Sequence, residues 1–138
     1  MTDTELDDLV MRFAECSLPK PEWTHAAHLA VGLWHVSRYG RDEALARLRL
    51  GISRLNESHG TINSPTGGYH ETVTRAYVQL LAAFAARHPG MPDADRVTAL
   101  LADPLADKQA LQRFYSRRRL DSVEARLGWA EPDLAPLP

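Results

Sequence analysis

Thiol chemistry is nearly absent from this sequence, because Cys16 is the only cysteine among 138 residues. One thiol excludes an internal disulfide and any metal centre built from thiolates. Long apolar runs are missing as well: no stretch approaches the ~18–20 uninterrupted hydrophobic residues that span a bilayer. The opening MTDTELDDLV is acidic and lacks the basic and apolar regions of a secretory leader. There is no excess of positive charge either. The formal net charge is -2, which supplies no global attraction to nucleic acid or to an anionic membrane. A glycine-rich phosphate loop, a serine nucleophile elbow and a cysteine-based zinc motif are all lacking. The expectation is a soluble cytoplasmic protein that binds neither nucleic acid nor membrane.

What is present is helical periodicity. Hydrophobic residues make up 44% and charged residues 25%, the balance of an ordinary globular chain long enough for one domain, residues 1–138. Leu6, Leu9, Val10 and Phe13 recur at helical spacing after Thr2 or Thr4 as N-cap. Pro19 and Pro21 break that helix. Thr24 then caps a second helix that stops at Gly40, and Leu45, Leu48, Ile52 and Leu55 mark one face of a third. HGTINSPTGG reads as loop. A fourth helix is expected from about Tyr69 to Arg87. Asp93 caps a short fifth, DKQALQRFYS and DSVEARLGW read as two more short helices, and EPDLAPLP is expected to lie extended. No alternating strand pattern occurs. The fold class is therefore all-α, a single-domain bundle of four main helices with short C-terminal helices and an extended, proline-rich tail.

The second helix, in EWTHAAHLAVGLWH, spends core-facing positions on histidine. His25 and His28 are three apart, within reach of a common ion, and neutral imidazole is a good ligand for zinc, iron, copper or nickel. On the fourth helix, in GYHETVTRAY, His70 shares a stripe with Thr74, Tyr77, Leu81 and Phe84, so its ring is expected to face inward. Glu71 on the edge of that stripe and Glu22 before His25 each offer a carboxylate. Three buried imidazoles without partners would cost several kcal/mol in desolvation. This cost favours a shared divalent transition metal, zinc first, held by His25, His28, His70 and Glu71. A metal-free polar site and a purely structural network are the alternatives. For His35 and His88 a hydrogen-bonded core position is the ordinary reading, and His59 in its polar loop reads as solvated.

Other residues surround this candidate. Asn56 either orients a ligating histidine from behind or is a helix-end amide serving the following loop. Thr66 and the glycines at 67 and 68 leave the fourth helix's N-terminus open to an anion, or simply cap it. Tyr77 is a hydrogen-bond donor or acid candidate, with a satisfied core tyrosine as the more common case. Gly32 costs about 1 kcal/mol of helix propensity, repaid by close approach of a neighbouring helix. Trp23, Trp34 and Tyr39 are candidates for lining an apolar pocket, though aromatics at such spacing usually belong to the core. Arg113, Arg117, Arg118 and Arg119 beside Phe114 and Tyr115 read as a solvated or ion-paired face before they read as a nucleic-acid or substrate clamp. Cys16 reads as a small core residue rather than a nucleophile.

The motifs W-T-H-x-x-H-L, in EWTHAAHL, and G-Y-H-E-T, with the FYS segment and the closing PDL, resemble a family of small bacterial helical proteins. The likeness runs from about Pro21 to Leu137 and implies no reaction. In outline the arrangement is also similar to the DinB-like bundles, which hold a divalent metal with three histidines. Their late histidine pair at i, i+4 is missing here, and a fold analogy does not establish function.

The leading expectation is a small metal-dependent enzyme, hydrolase, lyase or oxidoreductase, acting on a small molecule between the second and fourth helices. Glu71 would be ligand or general base, Tyr77 an acid, and Glu22, Asn56, Thr66 and Thr74 would stand around substrate or ligands. A metal-free acid–base enzyme using His70 and Glu71, or a regulatory module that senses metal or ligand, are the alternatives. The sequence leaves room for a homodimer.

Overall fold

The computed structural model describes residues 1–138 and is all-helical, without strands apart from an isolated bridge between Ser64 and Gly67. Its helices are α1 (Asp3–Ala14), α2 (His25–Ser58), α3 (Glu71–Ala86), α4 (Asp93–Leu101), α5 (Arg117–Leu120) and α6 (Val123–Leu127). Short 3-10 turns at Lys20–Glu22, Pro104–Ala106 and Ala110–Arg113 join them. No helix is long and apolar enough to cross a membrane.

The caps follow from residue type. The Thr2 hydroxyl accepts from the Glu5 amide, and the Thr24 hydroxyl accepts from the Ala27 amide, each satisfying an orphan donor of a first turn. At the end of α1, Cys16 adopts φ 58° and turns the chain toward the buried Leu18, half-buried itself. The second and third expected helices run on as α2, but Gly40 interrupts them at φ 75°, ψ 177°. That backbone region is essentially closed to residues with a Cβ and costs of order 1–3 kcal/mol to occupy. A Gly40→Ala variant is therefore expected to lose about 1–3 kcal/mol in urea unfolding, although nothing lies within 4 Å of the added methyl.

Leu6, Val10 and Phe13 of α1, Leu29, Val31, Leu33 and Val36 of α2's first arm, Leu48 and Leu55 of its second, and Leu81 and Phe84 of α3 form one core. The most extensive packing is α2 on α3. It is close at Gly32, where a Cβ would stand 2.7 Å from Leu81 Cδ1, so the expected approach of a neighbouring helix is observed.

A smaller cluster joins Ala76 and Leu80 of α3 to Leu111 and the fully buried Tyr115. The Tyr115 hydroxyl donates to Ala130 O at 2.8 Å. The C-terminal stretch lies extended over this cluster. Leu134 N donates to Phe114 O, Ser116 bonds the Asp133 carboxylate, and Gln79 Nε2 reaches Pro138 O. Of the two short helices expected before it, DKQALQRFYS supplies only a 3-10 turn, while Val123–Leu127 is a short α-helix.

Candidate small-molecule site

Between the two arms of α2 and the first half of α3 lies a cavity of about 350 Å³. Trp23, His25, His28, Leu29 and Gly32 form one wall, Leu48 and Ile52 a second, and Val73, Thr74, Tyr77, Val78 and Leu81 the third. The cavity lies where both arms of α2, on either side of the break at Gly40, meet α3. Of the expected site residues, His25, His28, Thr74 and Tyr77 meet here; His70, Glu71, Glu22, Asn56 and Thr66 do not line it.

His25 occupies the first turn of α2, with its ring edge-on to Tyr77 at 6.1 Å between centroids. Its Nε2 is buried and has no hydrogen-bond partner. Two other buried side-chain nitrogens lack partners, Trp34 Nε1 and Arg96 Nε, and neither residue lines the cavity. His28 is the one exposed residue of the lining. Its ring stacks on Trp23 at 3.7 Å, and Nδ1 lies 2.8 Å from Thr24 O. A carbonyl only accepts, so Nδ1 carries the proton and Nε2 keeps a free lone pair. Crowding around the ring holds its pKa below the ordinary histidine value, the Thr24 carbonyl opposes this, and nearby His25 adds to it. His28 is thus a neutral base at neutral pH.

His70 is not the inward-facing ligand that its helical stripe implied. It is the N-cap of α3, with extended backbone (φ -130°, ψ 108°), and its Nδ1 accepts from Val73 N at 3.1 Å. Nε2 then carries the proton and donates to Leu120 O at 2.6 Å. Both ring nitrogens are spent. Glu71 is likewise committed: Arg49 donates to it from Nε at 2.9 Å and from Nη2 at 2.6 Å, and the Tyr69 hydroxyl donates at 2.8 Å. The Arg49 fork holds the Glu71 carboxyl below its usual range, so it is a weak base. No group of three or more histidine, cysteine, aspartate or glutamate side chains is placed to share an ion. The expected ligand set of His25, His28, His70 and Glu71 is therefore not assembled, and no step is derived through a metal.

The flanking residues also have local employment. Glu22 forms a forked pair with Arg12 at the surface. Asn56 donates to Asn63, whose amide in turn bonds Ser53 O and whose Oδ1 accepts from Tyr69 N. Asn56 thus serves the loop, as a helix-end amide does. Thr66 is exposed in the 64–67 turn, its amide on Ser64 Oγ. Gly68, at φ 75°, packs so tightly on Ile62 and Asn63 that it closes the loop rather than opening it to a ligand. Thr74 donates to His70 O. His35 and His88 bond the carbonyls four residues back, as ordinary core histidines do, while His59 is tied to Leu18 O rather than solvated. Arg113 lies over the Phe114 ring and Arg119 bonds Glu131 O, so both have partners within the chain. Trp23 is the one candidate aromatic that lines the cavity; Trp34 and Tyr39 pack on each other and on His35. The aliphatic walls were not singled out as a site, since Leu48, Ile52 and Val78 read in sequence as core.

Burial lowers the pKa of His35 and His70. The unfolded chain then binds protons that the folded one refuses, so stability is complete above about pH 6.5 and falls as pH drops below it. Urea unfolding at successive pH values is expected to show this loss. Glu71, lowered by Arg49, extends the loss below the carboxylate range.

No protein-family model, curated protein or solved structure matches this chain.

Proposed function

We propose that this chain takes a small, largely apolar molecule into the cavity between α2 and α3, with His25 and His28 as its hydrogen-bonding and proton-exchanging groups. The observation that carries the reading is His25 Nε2, buried without a partner in an apolar cavity. Buried polar atoms are nearly always satisfied, and an orphan in the wall of a cavity is one that a ligand can satisfy once the wall shifts to admit it. His28 adds a neutral Nε2 at the exposed side, suited to accept a proton. The chemistry is acid–base and moves from His70 and Glu71, whose lone pairs are used, to His25 and His28. An ion would find only these two of its four expected ligands, which is why a metal-dependent reaction is the weaker reading.

Titration with 2-naphthol, followed by NMR of the His25 imidazole and the Val73, Val78 and Leu81 methyl groups, is expected to give saturable shifts confined to the cavity. No saturable shift with 2-naphthol, naphthalene or indole removes the reading. A parallel titration with zinc that saturates at His25 and His28 would return the site to metal chemistry. His25→Leu is expected to gain about 1 kcal/mol of stability, because it deletes an unsatisfied buried nitrogen. The same change should weaken 2-naphthol binding, as when stability is given up for a binding site.

A further inference from the structure

We infer that the occupant of this cavity is an uncharged molecule of about bicyclic size with one hydrogen-bonding head on an otherwise apolar skeleton. The inference rests on the cavity reading above. No aspartate, glutamate, lysine or arginine is among the lining residues. The Arg49–Glu71 pair at the start of α3 is closed on itself. An ion brought into these walls would lose its hydration and find no countercharge. His28 does not supply one readily, since its surroundings already oppose protonation.

The polar complement sets the number of heads. Thr74 spends its hydroxyl proton on His70 O, and His28 spends Nδ1 on Thr24 O and is the exposed member of the lining. Among the lining residues His25 Nε2 is buried without a partner, and the Tyr77 hydroxyl, on a ring 6.1 Å from that of His25, makes no hydrogen bond either. One hydroxyl on the occupant, which both donates and accepts, can serve this neighbouring pair, so a single head suffices. Size follows from volume: about 350 Å³ is more than twice the ~150 Å³ that admits benzene in an apolar protein cavity. The Trp23 and Tyr77 rings favour a flat skeleton.

The test compares naphthalene, 2-naphthol and 2-naphthoate at neutral pH, in the full-length protein and its His25→Leu variant, by NMR titration. In the unaltered protein 2-naphthol is expected to bind about tenfold more tightly than naphthalene, the worth of one buried hydrogen bond, and 2-naphthoate more weakly than either. In His25→Leu naphthalene should still bind, while the advantage of 2-naphthol disappears. Tightest binding by 2-naphthoate would overturn the uncharged occupant and leave the cavity reading standing. Equal binding of naphthalene and 2-naphthol in the unaltered protein would overturn the single head at His25. If none of the three binds, the cavity reading fails and takes this inference with it.

Discussion

Replacing Thr72 by valine is expected to lower unfolding stability by about 2–4 kcal/mol, although the two side chains have nearly the same shape. Thr72 is fully buried on the first turn of α3. Its hydroxyl donates to Gly128 O at 2.7 Å and accepts from Ala130 N at 3.0 Å, so one oxygen serves both a carbonyl and an amide of the C-terminal stretch. Valine would leave the buried Ala130 amide and the half-buried Gly128 carbonyl without this partner, at about 1–3 kcal/mol for such a group. Thr72→Ser keeps the hydroxyl and gives up one methyl, so it should lose only about 1 kcal/mol. Urea unfolding of the two variants, with hydrogen exchange at the Ala130 amide, checks the pair. A valine variant as stable as the serine variant would show that the hydroxyl does not fasten the chain end.

His70→Ala is expected to cost about 2–3 kcal/mol in the same measurement. Its ring caps α3 through Val73 N and holds Leu120 O through Nε2, and alanine forfeits both. Loss of an N-cap is worth about 1 kcal/mol, and the orphaned carbonyl adds the rest. His70→Asn, a good N-cap residue, should recover the first part and not the second. A metal ligand behaves differently: its replacement would remove an ion and leave the apoprotein's stability near the original. An alanine variant of unchanged stability would therefore sink the capping role.

The difference between these two roles shows where the sequence could be read and where it could not. Helix spacing and threonine caps locate α1, the start of α2 and most of α3, because they are local properties of a few neighbouring residues. Gly40 was legible for the same reason, since glycine after a periodic run marks a break whichever way the chain turns next. His25 and His28 were found through the cost of burying imidazole, and they do line the cavity. His70 was misplaced by one register: periodicity carried the helix back to Tyr69, whereas the helix begins at Glu71 with a histidine as its cap. Caps are usually serine, threonine, aspartate or asparagine, so residue type gave no warning. What assigned the ring its role is Leu120, 50 residues away, and no spacing rule reaches that far. Glu71 was lost to the same blindness, because Arg49 sits on another helix arm.

The fastening of α3 by Gly128, Ala130 and Leu120 also bears on the order in which the molecule can be finished. The first turn of α3 carries Val73 and Thr74, part of one wall of the cavity, yet the partners that secure that turn follow it by 50 to 58 residues. Until they emerge, the turn has an unsupported cap and a hydroxyl without its bonds. A nascent chain can assemble the core of α1, α2 and the later turns of α3 beforehand. Readiness to take up a small molecule thus waits until residues 120–130 have emerged, well after α3 itself has been made.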